Sequence, residues 1–158
     1  MATVNQSPLS TGTSPLAQSK SIMVDKILQE IIMPGFYETD AIGHINNTVI
    51  PMWFEKGRMP LFKYFTPDLD PGKWNLILVR IEVDYIAQIG YEDQVTIKTG
   101  VQRIGTSSFV VQQEAIQKQA VCARGQTTMV HFDYEQNKSM PLPTGIRQVL
   151  EQHYWDDD

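Results

Sequence analysis

Within ETDAIGHINNTV (38–49) the chain gathers an Asp, a His and two Asn around a Gly, where a strand-like run gives way to a helical one. Asp40 can act as a general base on water or as a nucleophile itself, and its spacing leaves both roles open. His44, four residues on, can donate to a substrate oxygen, orient Asp40 or protonate a leaving group. Asn46 and Asn47 stand at the expected start of a helix, where unpaired N–H groups and the positive dipole end suit an oxygen that gains negative charge. Asn47 or its neighbour would supply that N–H. Gly43 permits a turn that a β-carbon resists and lets a substrate come close to the backbone. The plainer readings are an N-cap for either Asn and a solvated pair for Asp40 and His44. A zinc site is disfavoured, because the chain has three His and one Cys to offer as ligands.

These residues need elements to hold them. Ahead of the corner, Ile31–Tyr37 reads as a strand, with Pro34 demanding an edge or a bulge. From Asn46 to Phe65, Val49, Trp53, Gly57 and Leu61 recur every four residues beside Ile50 and Phe54, which is the period of a helix. Pro60 lies inside that helix and predicts a kink or restart near Met59. In LILVRIEVDYIAQI (76–89) the odd positions are apolar, which predicts one long strand with a buried face. Three further strands follow at hairpin spacing, and Thr144 is the expected N-cap of a short last helix. One long helix covers one face of such a sheet, so the other face or the edge needs a partner, and the order of elements predicts a homodimer or homotetramer.

Composition narrows the functional classes. A net charge of −5 gives no basic stripe for nucleic acid or anionic membranes, and no apolar run approaches the roughly 20 residues of a membrane span. Cys122 is the lone cysteine, which excludes an intrachain disulfide and fits a reducing cytoplasm. Residues 1–22, rich in Ser, Thr, Pro and Gln, lack the pattern of a secretory or transit peptide and read as a disordered tail before one domain at 23–158.

The run Asp40-x-x-Gly43-His44-x-Asn46-Asn47, followed by Phe54-Glu55 and Arg58, resembles the signature of hotdog-fold acyl-CoA thioesterases of the 4-hydroxybenzoyl-CoA thioesterase type. The resemblance extends over about 28–150. It implies an α+β hotdog fold, a long central helix wrapped by a curled antiparallel five-stranded sheet. It also implies hydrolysis of an acyl-CoA to free acid and CoA, with Asp40, His44 and Asn47 as the catalytic set and no cofactor beyond the CoA of the substrate. Gly43, Asn46, Glu55, Arg58, Arg103 and the turn Thr106-Ser107-Ser108 are the substrate-binding candidates, and Lys98, Lys118, Arg124, Lys138 and Arg147 are further candidates for phosphate contacts. Each has an ordinary alternative: Glu55 and Arg58 a surface pair, the turn a plain hairpin, the cations solvated charges. Ile50 departs from the Tyr common in the family. The rival functions are hydrolysis of acyl groups on acyl carrier protein and acyl-CoA binding without catalysis. Plant acyl carrier protein thioesterases carry an extra Asn where Ile42 stands here, which favours CoA. A sensor has no need of Asp40.

Overall fold

The computed structural model describes residues 25–156, so the expected tail at 1–22 and both ends of the expected domain at 23–158 lie outside the described residues. The chain runs β1 (Leu28–Ile32), α1 (Val49–Phe65), β2 (Leu76–Tyr85), β3 (Val95–Ile104), β4 (Ser108–Gln117), β5 (Ala120–Asp133), β6 (Lys138–Ser139) and α2 (Thr144–Glu151). Every pairing is antiparallel, in the order β1-β3-β4-β5-β2, and the two-residue β6 extends β5 as a sixth strand. The five strands curl around α1, which is the hotdog arrangement.

At Gly57 the helix α1 packs tightly against the sheet. A β-carbon there would come within 2.8 Å of Ile97 and of Thr99 Oγ1, and one at Gly125 would strike the Phe54 ring at 2.5 Å. The two glycines are therefore contact points between helix and sheet, where a missing side chain makes room for the side chains of the facing element. On either side of this waist lies an apolar core. One contains Val49, Ile50, Trp53, Phe54, Val95 and Ala123, and the other Leu61, Phe62, Phe65, Val101, Phe109 and Leu150. Between them runs a buried polar belt: Arg58 donates to Gln113 Oε1 (2.9 Å) and Thr127 Oγ1 (3.1 Å), while Gln113 Nε2 donates to the Phe54 carbonyl and Thr99.

Four local expectations are corrected. The first strand ends at Ile32, before Pro34, and Phe36–Glu38 is a 3-10 turn; Pro34 cannot donate to a ladder, so the strand stops short of it. α1 does not restart at Met59 but continues through Pro60, an exposed position, because the flanking Arg58, Leu61 and Phe62 are held in the core. β2 does not keep one register to residue 89. It ends at Tyr85 and is bulged between Leu78 and Arg80, so Leu76 and Leu78 face inward before the bulge and Ile81, Val83 and Tyr85 after it, opposite Thr127, Gly125 and Ala123. The apolar row is not buried either: β2 is an edge strand, and Leu78, Val79, Ile81 and Tyr85 are all exposed. Finally, Thr144 is the first residue of α2 and Pro143 occupies the N-cap position.

Candidate active site

Residues 38–46 form a narrow loop that folds back on itself. Glu38 O accepts from Asn46 N (2.8 Å), Thr39 pairs with Ile45, and Asp40 N donates to His44 O (2.7 Å). The tip turns at Gly43, whose φ of +83° lies in the left-handed region that residues with a β-carbon resist. The sequence supplies this shape through Gly43 and the short polar side chains beside it.

The same loop holds the Asp40 carboxylate. Oδ1 accepts from Ile42 N (2.9 Å) and His44 N (3.2 Å), while Oδ2 makes none of the described hydrogen bonds. One oxygen is thus tied to the backbone and the other is available. His44 is half-buried, and its Nδ1 is buried without a hydrogen-bond partner among the described residues. Such an atom is uncommon in a folded protein and is satisfied when a water or ligand oxygen arrives.

The start of α1 completes the corner. Asn46 heads a turn in front of the helix, its Oδ1 accepting from the N–H and hydroxyl of Thr48 (2.9 and 2.8 Å), and Thr48 occupies the N-cap position. The expected cap has therefore moved one or two residues along, and Asn46 acts from outside the helix. His44 N, Ile45 N, Asn46 N, Thr48 N and Val49 N all donate within the chain. The N–H of Asn47 is the one in this stretch with no acceptor among the described residues.

Asp40, His44 and Asn47 line one cleft of about 300 Å³. Its other walls are mostly apolar: Ile50 from α1, Ile86 and Ile89, with the polar Gln88 between them, from the segment after β2, and Cys122 with Ala123 from β5. Tyr85 closes one side and donates its hydroxyl to the Asn47 carbonyl (2.7 Å). Reading 76–89 as unbroken strand concealed this wall; Ile86, apolar at an even position, and Gly90 just beyond were the available signal. The segment is held from both sides. Ile45 N donates to Ile89 O (2.9 Å), and the Gln117 amide bridges Gly90 and Asp93.

The remaining candidates lie elsewhere. Gly43 shapes the loop tip, and Glu55 is exposed on α1. Arg58 is 1% exposed and belongs to the polar belt, so it is corrected from a substrate contact or surface pair to a core residue. Burial lowers its guanidinium to about 10, partly offset by the nearby Glu55 carboxylate. Thr106, Ser107 and Ser108 sit at the opposite end of the sheet. Ser108 pairs with Val130, roughly 23 Å along β5 from Ala123 at about 3.3 Å per residue. There Thr106 O and Ser107 O accept from Leu142 N and His131 N, so the turn packs the C-terminal segment. Arg103 is exposed on the outer face, near Arg80 and Glu82. Lys118 pairs with Asp93 and Arg124 with Glu114, each at 2.9 Å, while Arg147 donates to Gly105 O. None of these cations lines the cleft of this chain. Among the described residues no three His, Cys, Asp or Glu side chains cluster closely enough to hold a metal ion.

Comparison with known proteins agrees with this fold. A family profile described as the thioesterase-like superfamily matches residues 34–150. A solved structure of a predicted thioesterase from Bacillus stearothermophilus is 42% identical, with a TM-score of 0.81, covering 84% of this chain and 99% of that one. A thioesterase from Thermus thermophilus, solved with coenzyme A and Zn, is 25% identical with a TM-score of 0.72, covering 81% of this chain and 94% of that one. The uncharacterized protein YsmA of Bacillus subtilis is 25% identical over 117 residues, 73% of this chain and 79% of its own.

Proposed function

As a member of the thioesterase-like superfamily this chain is a thioester hydrolase, and we propose that its substrate is an acyl-CoA, cleaved to the free acid and CoA at the Asp40 corner. One observation carries the reading. A cleft with mostly apolar walls presents an unengaged carboxylate oxygen of Asp40, an unpartnered buried nitrogen of His44 and the open N–H of Asn47 together.

Each group has a task. The acyl chain lies against Ile50, Ile86 and Ile89, which removes apolar surface from water. The thioester oxygen receives the Asn47 N–H, which gains strength as negative charge builds on that oxygen, and the helix dipole adds to it. His44 polarises the same oxygen or orients Asp40. Asp40 Oδ2 either takes a proton from the attacking water or attacks the carbonyl itself. In the second case a mixed anhydride forms on Asp40 and water then cleaves it. In both routes the C–S bond breaks and CoA leaves as a thiolate, which needs little acid assistance.

The coenzyme A bound to the Thermus thermophilus relative supports CoA as the carrier. The reaction as written uses no cofactor. A homo-oligomer is part of the proposal, since the phosphate end of CoA finds no cation in this cleft and the partner across the exposed β2 edge can supply one. The absence of a helix long and apolar enough to cross a membrane among the described residues accords with action on a dissolved substrate, which we place in the cytoplasm.

The test is thiol release from short, medium, long and aromatic acyl-CoAs. Asp40→Asn is expected to lower kcat by at least about a hundredfold with folding unchanged, the usual scale for losing a positioned base or nucleophile. Binding of acyl-CoA by the wild type without thiol release would replace the hydrolase reading with that of a sensor. A single turnover in ¹⁸O-water that leaves label in the Asp40 carboxylate establishes the nucleophilic route, with water opening the anhydride at the Asp40 carbonyl, whereas the general-base route puts the label only in the product acid.

A further inference from the structure

We propose that Glu38 is a positioning residue, one that sets the place of Asp40 relative to the helix start bearing Asn47; this rests on the hydrolase reading above. In the structure Glu38 is the base of the loop that carries Asp40, and it is bound on every side. Its Oε2 accepts from Gly35 N (2.8 Å), its Oε1 accepts from the indole Nε1–H of Trp53 (3.0 Å), and its carbonyl accepts from Asn46 N (2.8 Å). Trp53 is 5% exposed in the second turn of α1.

These contacts join three pieces that must agree in position. Glu38 lies two residues before Asp40 on the outgoing arm of the loop. Asn46, immediately before Asn47, lies on the returning arm. Trp53 belongs to the helix itself. Among the described hydrogen bonds, the one from Trp53 to Glu38 is the only direct tie between the arm carrying Asp40 and α1. A carboxylate suits the post because it accepts at both oxygens at once, bridging a backbone N–H and an indole N–H that would otherwise be left without acceptors. Ala at this position would leave the Trp53 N–H buried and unpaired and would free the outgoing arm to shift. A displacement of about 1 Å between reacting groups can cost on the order of a hundredfold in rate.

The experiment compares Glu38→Ala, Glu38→Gln, Trp53→Phe and the double variant Glu38→Ala/Trp53→Phe in the full chain. It measures kcat and KM on the best acyl-CoA, the dissociation constant of a non-hydrolysable acyl-CoA thioether, and the unfolding midpoint. Glu38→Ala is expected to lose about thirtyfold in kcat while KM and thioether affinity stay within about threefold, because binding surfaces remain and alignment is lost. Glu38→Gln, which keeps an oxygen for Trp53, should recover most of that loss. The double variant should lose no more than Glu38→Ala alone, as members of one linkage do. An unchanged kcat in Glu38→Ala overturns the proposal, as does a loss that Gln does not rescue and that follows the folded fraction.

A readout independent of turnover separates this proposal from the hydrolase reading. The indole N–H resonance of Trp53 and the exchange rates of the His44 and Asn46 amides should change in Glu38→Ala and revert in Glu38→Gln. A wild type that hydrolyses no thioester removes the hydrolase reading, and with it any catalytic consequence of the tie. Spectra that do not move in Glu38→Ala overturn the tie itself, whatever the turnover.

Discussion

Asp40 and Arg58 show how the same motif supplies residues for opposite environments. Asp40 keeps one oxygen open to the cleft, whereas Arg58 is enclosed and donates to the neutral amide and hydroxyl of Gln113 and Thr127, with its Nε finding no partner among the described residues. Removing the Arg58 side chain opens a cavity and strips acceptors of their donor. Arg58→Ala is expected to cost about 3 kcal/mol in urea unfolding, and Arg58→Met, which fills the space, about 1 kcal/mol. The pH dependence follows from the folded value of about 10, which burial holds below the ordinary guanidinium value. A depressed folded value means that stability is present above the unfolded value and is lost as pH falls through the folded one. At lower pH the charge and its burial cost are constant, so the stability difference between wild type and Arg58→Met should be flat from about pH 6 to about 9. A slope in that window would mean that another group titrates with the belt.

At the level of elements, α1 tolerates a proline because its neighbours are pinned. Pro60 is exposed, while Leu61 and Phe62 are fully or almost fully buried in the second core and Arg58 holds the turn before it. The helix thus forgoes the hydrogen bond that residue 60 would give to the carbonyl of Lys56. Pro60→Ala restores that donor and relieves the ring's clash, so unfolding in urea should show a gain of about 1 to 3 kcal/mol, with thiol release unchanged. An unchanged or lower midpoint would mean that the helix is bent to fit the sheet and that the bend is worth keeping. The loop after β2 is a second such case. It has no regular structure, yet Gln117 fastens it from below at Gly90 and Asp93 and Ile45 fastens it from the site side, so an irregular segment serves as a fixed wall.

For the whole molecule, the exposed edge is the feature that most needs explaining. β2 ends the sheet, and Leu78, Val79, Ile81 and Tyr85 on it, with Ile86 just beyond, are 39 to 56% exposed. An edge strand with this much apolar surface invites pairing, and no proline or inward charge guards it. The expected occupant is a second copy of the chain, related by a two-fold axis so that β2 meets β2. Sedimentation should then give a dimer or tetramer. Ile81→Lys should shift it towards monomer and lower thiol release at least about tenfold, because Tyr85 and Ile86 on the same edge also line the cleft. A monomeric wild type with full activity would overturn this expectation.

The sequence by itself determined the order of elements and gathered Asp40, Gly43, His44 and Asn47 in one short stretch before a helix, because these depend on local information: a helical period, alternating strands, and a glycine among short polar side chains; the hotdog class was implied by the resemblance of that motif to a known family. Other features belonged to tertiary structure. The bulge after Leu78 reverses which residues of β2 face inward, and a period-two pattern cannot reveal one inserted residue. Arg58 and Glu55 look alike as charged residues three apart on a helix, and only the docking of Gly57 against Ile97 and Thr99 decides that one is core and the other surface. Ile89 and Cys122 come together with Asp40, and Glu38 with Trp53, through contacts between separate segments of the chain, and proximity of that kind exists only once the sheet has closed around the helix.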